Sequence, residues 1–249
     1  MRPDLSSRSI EFIPISSAKS VTRRKKSRVA TILGNSGKGE REGKEDKAEL
    51  HARFRLMRQS DEDNTAWRRV LRREMVKRRS LLGEAMHTEF SARIVAYLRE
   101  AFPPPKVVAF CWPIKYEPDI RAIIAAWTEV GTRAALPVVL AENTALGFRE
   151  WNTDTPLEAD CYGIPTPMTG AWLVPDLILL PLNGFDAAGY RLGYGGGYFD
   201  RTLAALLPRP LAIGVGFEIN RLDSIRPESH DQRLDWIVTE AGAFRAVDA

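Results

Sequence analysis

The stretch that decides the reading of this chain is Leu179-Leu180-Pro181-Leu182-Asn183-Gly184-Phe185-Asp186-Ala187-Ala188-Gly189-Tyr190-Arg191-Leu192-Gly193-Tyr194-Gly195-Gly196-Gly197-Tyr198-Phe199-Asp200-Arg201. It opens on the end of an apolar run, residues 176–181, that reads as a buried strand. It closes on a helix beginning near Tyr198, and Gly193, Gly195, Gly196 and Gly197 lie between. In open α/β sheets, ligands bind beyond the carboxyl ends of the strands. A helix N-terminus offers unpaired N–H groups and a partial positive charge, and glycine lets the backbone approach an anion closely. The pattern predicts a phosphate loop. A flexible glycine turn between strand and helix is the plainer alternative. Asp200, in the first turn, is placed to hold a metal that bridges phosphates, or else only to complement the helix dipole. The loop is not a Walker A motif, because no Gly-Lys-Ser/Thr follows. Nor is it the dinucleotide fingerprint, because the spacing differs and the preceding strand is a late one.

Outward from this loop, strands alternate with helices. Residues 106–111, 132–139, 176–181, 211–215 and 236–239 read as strands, with a more irregular one at 146–151. Helices are predicted near 84–100, 118–130 and 197–207. A first helix is predicted from a cap at Asp63 or Asn64 to about Leu82, with Trp67, Val70, Leu71 and Met75 on one face and Arg68, Arg72 and Arg79 on another. Gly83 is expected to end it. The second helix is expected to turn Met86, Phe90, Ile94, Tyr97 and Leu98 inward. This order predicts an α/β fold, a mostly parallel sheet with helices on both faces.

Composition limits the rest. Two cysteines and three scattered histidines make neither a disulfide framework nor zinc-ligand spacing. No apolar run is long enough to span a membrane, and a cytoplasmic protein is expected. The net charge of +4 is unevenly shared: residues 1–60 hold 15 Lys/Arg against 7 Asp/Glu, the remainder 21 against 25. Six of the nine lysines lie in that first segment, which shows no sustained apolar period. The chain is therefore expected to comprise a disordered basic N-terminal extension, residues 1–60, and one catalytic domain, residues 61–249. Translated sequence ahead of a true start at Met57 is the alternative for the first part. A targeting peptide fits less well, since an apolar h-region is missing. Nucleic-acid binding would rest on this segment alone and is not expected.

The residues Gly184-Phe185-Asp186, Gly189, Arg191-Leu192-Gly193, Gly195 and Gly197-Tyr198-Phe199-Asp200 resemble the signature of the 5-formyltetrahydrofolate cyclo-ligase family. The resemblance extends from about Trp67 to Glu240. It implies ATP as co-substrate, Mg²⁺, a folate substrate and a monomeric enzyme. It implies that Arg68, Arg72 and Arg191 hold phosphates, with Leu192, Gly193, Tyr194, Gly195, Gly196, Gly197, Tyr198 and Phe199 around them. It further implies that Glu117, in Trp112-Pro113-Ile114-Lys115-Tyr116-Glu117, pairs with the N–H donors of the pterin edge. Asp231, in His230-Asp231 followed by Leu234-Asp235, would share the metal with Asp200. Trp112 and Tyr198 are candidate walls of the folate site, or equally core aromatics. Without the resemblance, Arg68 and Arg72 read as a solvated basic face, Glu117 as an exposed loop acid and Asp231 as a turn residue.

Two residues depart from the signature. Tyr194 stands where a second arginine is usual, and Phe199 where a tyrosine is. The first loses a positive charge near the phosphates, which bears on transition-state stabilisation more than on nucleotide binding. Arg191 and Tyr194 are thus the expected catalytic positions, and Lys115 is a candidate substitute cation. A relative that binds nucleotide or folate without turnover is the alternative reading.

Overall fold

The computed structural model describes the backbone of residues 47–246 and the side chains of residues 63–246. The elements run α1 (Lys47–Ser80), α2 (Gly83–Ala101), β1 (Val107–Phe110), α3 (Arg121–Glu129), β2 (Arg133–Val138), β3 (Gly147–Trp151), β4 (Leu157–Ala159), β5 (Pro165–Pro167), β6 (Leu177–Pro181), β7 (Gly184–Phe185), β8 (Arg191–Leu192), α4 (Tyr198–Ala205), β9 (Leu211–Val215), β10 (Trp236–Thr239) and β11 (Gly242–Arg245). The expectation for residues 1–46 lies outside the described residues.

Seven strands form one sheet in the order β11-β10-β9-β6-β1-β2-β3. The five inner strands are parallel, and β3 and β11 add antiparallel edges. The strands β1, β6 and β9 are almost wholly apolar because both of their faces are covered. Alternation along them divides the core in two. Val108, Phe110, Leu177, Leu179 and Ile213 face Ile94 and Leu98 of α2 and Ile123, Ile124 and Trp127 of α3. Ala109, Ile178, Leu180 and Ala212 face Leu203 of α4, Phe148 and Phe185. Helices therefore cover both faces, as the strand–helix alternation implied.

From β1 the chain proceeds to β2 on one side; from β6 it proceeds to β9 on the other. The connections diverge between β1 and β6, the switch point at which open α/β sheets bind ligands. The loop after β1 carries Glu117, and the segment after β6 carries the glycines.

The first helix differs from its expected form. It begins at Lys47, so Asp63 and Asn64 lie within it and cap nothing. Asn64 instead donates to Glu228 Oε1 and the Arg226 carbonyl. Met75 is buried against Leu192 and Ile225, but Val70 is 57% exposed. The face that goes inward is the basic one: Arg68 and Arg79 are buried. Met86 of α2 is likewise exposed where an inward position was expected, whereas Ile94 and Leu98 are buried. The short pairs β4–β5 and β7–β8 and the edge strand β11 had no counterpart in the sequence reading.

Candidate active site

The strand–loop–helix unit contains a hairpin that the sequence did not announce. Gly184 pairs with Leu192 and Phe185 with Arg191. Half of the family-like signature builds this hairpin. Phe185 is fully buried. Asp186 Oδ1 accepts the Tyr190 N–H at 3.1 Å and Oδ2 the Ile225 N–H at 3.0 Å. Leu192, expected at the nucleotide, contributes a side chain buried with Met75 and Ile225.

The other half forms the cradle. Gly195 (φ 103°) and Gly197 (φ 64°) occupy the region that favours glycine. A Cβ on Gly195 would lie 3.3 Å from the Arg72 guanidinium. Arg72 Nε donates to the Gly193 carbonyl at 2.9 Å, and its terminal N–H groups have no partner among the described residues. Burial, and then the charge of Arg68, lower the Arg72 pKa from its ordinary value. Gly197 caps α4, whose first turn presents Tyr198, Phe199 and Asp200. Phe199 packs towards the core behind α4. Tyr198 lies beside Gly196, under the Arg201 guanidinium, and its hydroxyl is 2.9 Å from that of Tyr162. Tyr162, from the turn between β4 and β5, was not foreseen.

Two acid–base pairs adjoin the cradle. Arg191 donates to Asp200 Oδ1 at 3.0 Å and to the Gln232 carbonyl at 3.0 Å. The Gln232 N–H also donates to Asp200 Oδ1, at 3.0 Å, so the segment holding Asp231 is tied to α4. Arg191 is almost fully buried, which lowers its pKa against the opposing pull of Asp200. Arg68 donates to Asp231 Oδ2 and to the Arg226 carbonyl, both at 2.6 Å. Burial raises the Asp231 pKa, but the hydrogen bonds from Arg68 and the Glu228 N–H outweigh it, and the net shift is downward. Among the described residues no cluster of three or more His, Cys, Asp and Glu side chains gathers as metal ligands. A divalent cation here would draw on Asp200 and Asp231, and on phosphate oxygens. Both contacts of Asp200 fall on Oδ1, so Oδ2 retains its lone pairs. That donor set suits a hard cation that keeps several waters.

Across the switch point, Glu117 is buried, not an exposed loop acid. It lines both a cleft of about 380 Å³, with Arg79, His87, Ile114 and Lys115, and a smaller recess with Cys111, Leu180 and Val215. Its Oε1 accepts the Tyr194 hydroxyl at 2.6 Å and its Oε2 the Ile114 N–H at 3.0 Å. Burial raises its pKa, opposed by the bonds from Tyr194 and Ile114 and by the charges of Arg79 and Lys115. Tyr194 thus reaches across from the glycine loop, and Lys115 Nζ sits 4.7 Å above its ring. Trp112 packs against Trp151 and under Arg121 and lines neither cavity. Arg79, 1% exposed and bonded to the Tyr194 hydroxyl, was placed by the sequence on the helix's basic face and given no role.

The comparisons with known proteins agree with this geometry. Residues 64–240 match the model of the 5-formyltetrahydrofolate cyclo-ligase family. A 5-formyltetrahydrofolate cyclo-ligase of Mycolicibacterium smegmatis is 30% identical over 179 residues, 68% of this chain and 91% of the relative. One of Mycoplasma pneumoniae is 28% identical over 177 residues, 69% and 97% of the two chains. The solved structure of Aquifex aeolicus 5,10-methenyltetrahydrofolate synthetase superposes with a TM-score of 0.62 at 26% identity, covering 73% of this chain and 94% of that one. With a glycine cradle, paired arginines and carboxylates and a buried glutamate at the switch point, and with the family model spanning nearly all of the described fold, the chain belongs to the 5-formyltetrahydrofolate cyclo-ligase family.

Proposed function

We propose that this chain cyclises 5-formyltetrahydrofolate to 5,10-methenyltetrahydrofolate at the expense of ATP, releasing ADP and phosphate, with the nucleotide on the glycine cradle and the folate at Glu117. The observation that supports it most is the facing of these two halves across the β1–β6 switch point, joined by the Tyr194–Glu117 hydrogen bond.

The N5-formyl oxygen is a poor leaving group. Its attack on the γ-phosphorus breaks the bond to ADP and leaves the oxygen phosphorylated. N10 then attacks the formyl carbon and gives up its proton, and the C–O bond breaks as phosphate departs. Such chemistry needs positioning and charge neutralisation more than a protein nucleophile. Gly193 to Gly197 and the α4 N-terminus receive the phosphates, and Arg72, Arg68 and Arg191 offset their charge. Asp200 and Asp231 would hold Mg²⁺, which when bound would supply further positive charge against the phosphates. Glu117 accepts from the pterin N–H donors. Tyr194 donates where the signature's second arginine would stand, and Lys115 supplies a cation beside it. Tyr198 borders the cradle as an apolar wall. Among the described residues no helix is long and apolar enough to cross a membrane. The enzyme works as a cytoplasmic monomer on small-molecule substrates, and residues 61–249 form its catalytic domain.

The test is absorbance of methenyltetrahydrofolate formed by the purified chain from 5-formyltetrahydrofolate, ATP and Mg²⁺, with Asp200→Ala as control. ATP-dependent product that Asp200→Ala loses is expected. No product despite intact nucleotide binding would overturn the reading.

A further inference from the structure

Arg79 is a buried cation that, among the described residues, has no carboxylate in direct contact. Its Nη1 donates to the Leu182 carbonyl at 2.9 Å, and its Nη2 to the Lys115 carbonyl and the Tyr194 hydroxyl, both at 3.1 Å. Its Nε is buried without a partner among the described residues. A guanidinium taken out of water is costly unless a negative charge compensates it. The compensating charge stands one phenol away: Tyr194 donates to Glu117 Oε1 at 2.6 Å. The direction of this chain is forced. Guanidinium has no lone pair to accept with, so the phenol oxygen accepts from Arg79 and its own proton goes to the carboxylate.

The same three groups join three elements. Arg79 comes from α1, Glu117 from the loop after β1, and Tyr194 from the glycine loop. Arg79 also holds the Lys115 carbonyl, and Lys115 (φ 48°) and Tyr116 (φ 61°) both occupy the left-handed region. Two such residues in succession persist only where the surroundings over-determine them. Titratable or charged groups face Glu117 from each neighbouring element: Arg79 from α1, His87 from α2, Cys111 at the end of β1, Lys115 on its own loop and Tyr194. Of the two cations that oppose its burial, Arg79 is buried and bonded to the phenol, whereas Lys115 lies over the ring of that phenol.

We propose that Arg79 is a positioning residue for the folate step: through the Tyr194 hydroxyl it holds Glu117 as an oriented carboxylate. This rests on the reading that Glu117 receives the folate. Among the described residues each Glu117 oxygen accepts one protein donor, which leaves it a lone pair for the pterin edge. Without the relay, a buried carboxyl protonates more readily and turns from acceptor to donor.

The experiment compares the full chain with Arg79→Gln, Tyr194→Phe, the double variant, Arg79→Gln/Tyr194→Arg, His87→Gln and Glu117→Gln. The KM for 5-formyltetrahydrofolate is followed between about pH 5 and pH 9 at saturating ATP, and the KM for ATP alongside. Arg79→Gln and Tyr194→Phe should each raise the folate KM about tenfold, the loss of one charge-assisted hydrogen bond. Both should move the acid limb of kcat/KM for folate to higher pH and leave the ATP KM within about twofold. The double variant should be no worse than the poorer single one, because both changes cut the same relay. Tyr194→Arg should restore the limb in the Arg79→Gln background. Tyr194→Phe removes a single oxygen, so it gives an answer even where Arg79→Gln folds poorly. A uniform loss with an unmoved limb, additive losses, or a limb abolished by His87→Gln would overturn the proposal. Glu117→Gln that binds folate as the parent does would overturn the underlying reading instead.

Discussion

Arg191 and Asp200 form an ion pair, Nη2 to Oδ1 at 3.0 Å, with the arginine buried and the carboxylate partly so, and among the described residues the second oxygen of Asp200 has no protein donor. The arginine orients the carboxylate without consuming it, the usual task of an outer-shell partner. If Oδ2 is the metal-facing atom, Asp200→Asn keeps an oxygen for Arg191 but loses the charge. Expected is a fall in kcat of about 100-fold or more, by analogy with removal of one group that neutralises transition-state charge, and an increased Mg²⁺ requirement. Steady-state rates over a Mg²⁺ titration, with EDTA-treated protein as the zero point, would check it. An unchanged Mg²⁺ dependence would remove Asp200 from the metal site.

The second pair behaves differently. Arg68 and Asp231 have side chains only 8% exposed, and Asp231 also fixes the Glu228 N–H. Asp231→Ala leaves Arg68 buried and unpaired, which should cost about 3 kcal/mol, the low end for a broken buried pair, because the Arg226 carbonyl remains its acceptor. The folded Asp231 pKa is lowered, so the stability it contributes is present above the unfolded aspartate value and is lost as pH falls through the folded one. Denaturant titrations of parent and variant should therefore converge below about pH 4. A difference that persists in acid would locate the effect elsewhere.

Much of this was legible from sequence, for physical reasons that differ by element. The strands β1, β6, β9 and β10 were found within a residue or two, because strands buried on both faces are short apolar runs between turn residues. The pairs β4–β5 and β7–β8 were missed, because two or three residues carry no period. The basic face of α1 was visible as Arg68, Arg72 and Arg79 at helical spacing, but spacing does not tell solvent from a polar interior. Only the carbonyls, phenol and carboxylate that meet these guanidiniums make the inward face basic, and they lie 36 to 163 residues away in the chain. Glu117 drew its role solely from the family resemblance. Tyr194 was seen as a lost charge, but nothing local to it revealed that Arg79 arrives at its hydroxyl.

Glu117 gives the opposite pH signature from Asp231. Its folded pKa is raised, chiefly by burial. The folded state therefore binds more protons than the unfolded one between the two pKa values, and stability falls as pH rises from the unfolded glutamate value to the folded one. Glu117→Gln cannot titrate. Expected is a stability difference, parent minus variant, that declines as pH rises from about 4, measured by urea unfolding at several pH values. A flat difference would mean that the carboxylate is not destabilised by its burial.

Asp186 separates architecture from binding within one signature. Both of its oxygens are taken by backbone N–H groups, of Tyr190 and Ile225, and among the described residues no hydrogen bond ties its carboxylate to the cradle. Asp186→Ala leaves these donors unsatisfied and should cost about 2–4 kcal/mol. The melting temperature should drop, while the Kd for ATP of the protein that remains folded should stay within about twofold. Selective loss of ATP affinity at unchanged stability would reverse this assignment.

The glycines of the cradle are not equivalent, and two alanine substitutions separate their roles. Gly195 has φ 103°, and a Cβ there would crowd the Arg72 guanidinium at 3.3 Å; a Cβ on Gly193 meets nothing within 4 Å. Gly195→Ala should incur about 1–3 kcal/mol of backbone strain and displace Arg72 from the loop. Its ATP affinity should fall by about tenfold or more. Gly193→Ala should lose less, because its Cβ would meet no protein atom within 4 Å. Calorimetric titration with a non-hydrolysable ATP analogue distinguishes the two. Equal losses at both positions would mean that the ligand, and not the Arg72 contact, sets the requirement for glycine, and would put the phosphates directly over Gly193.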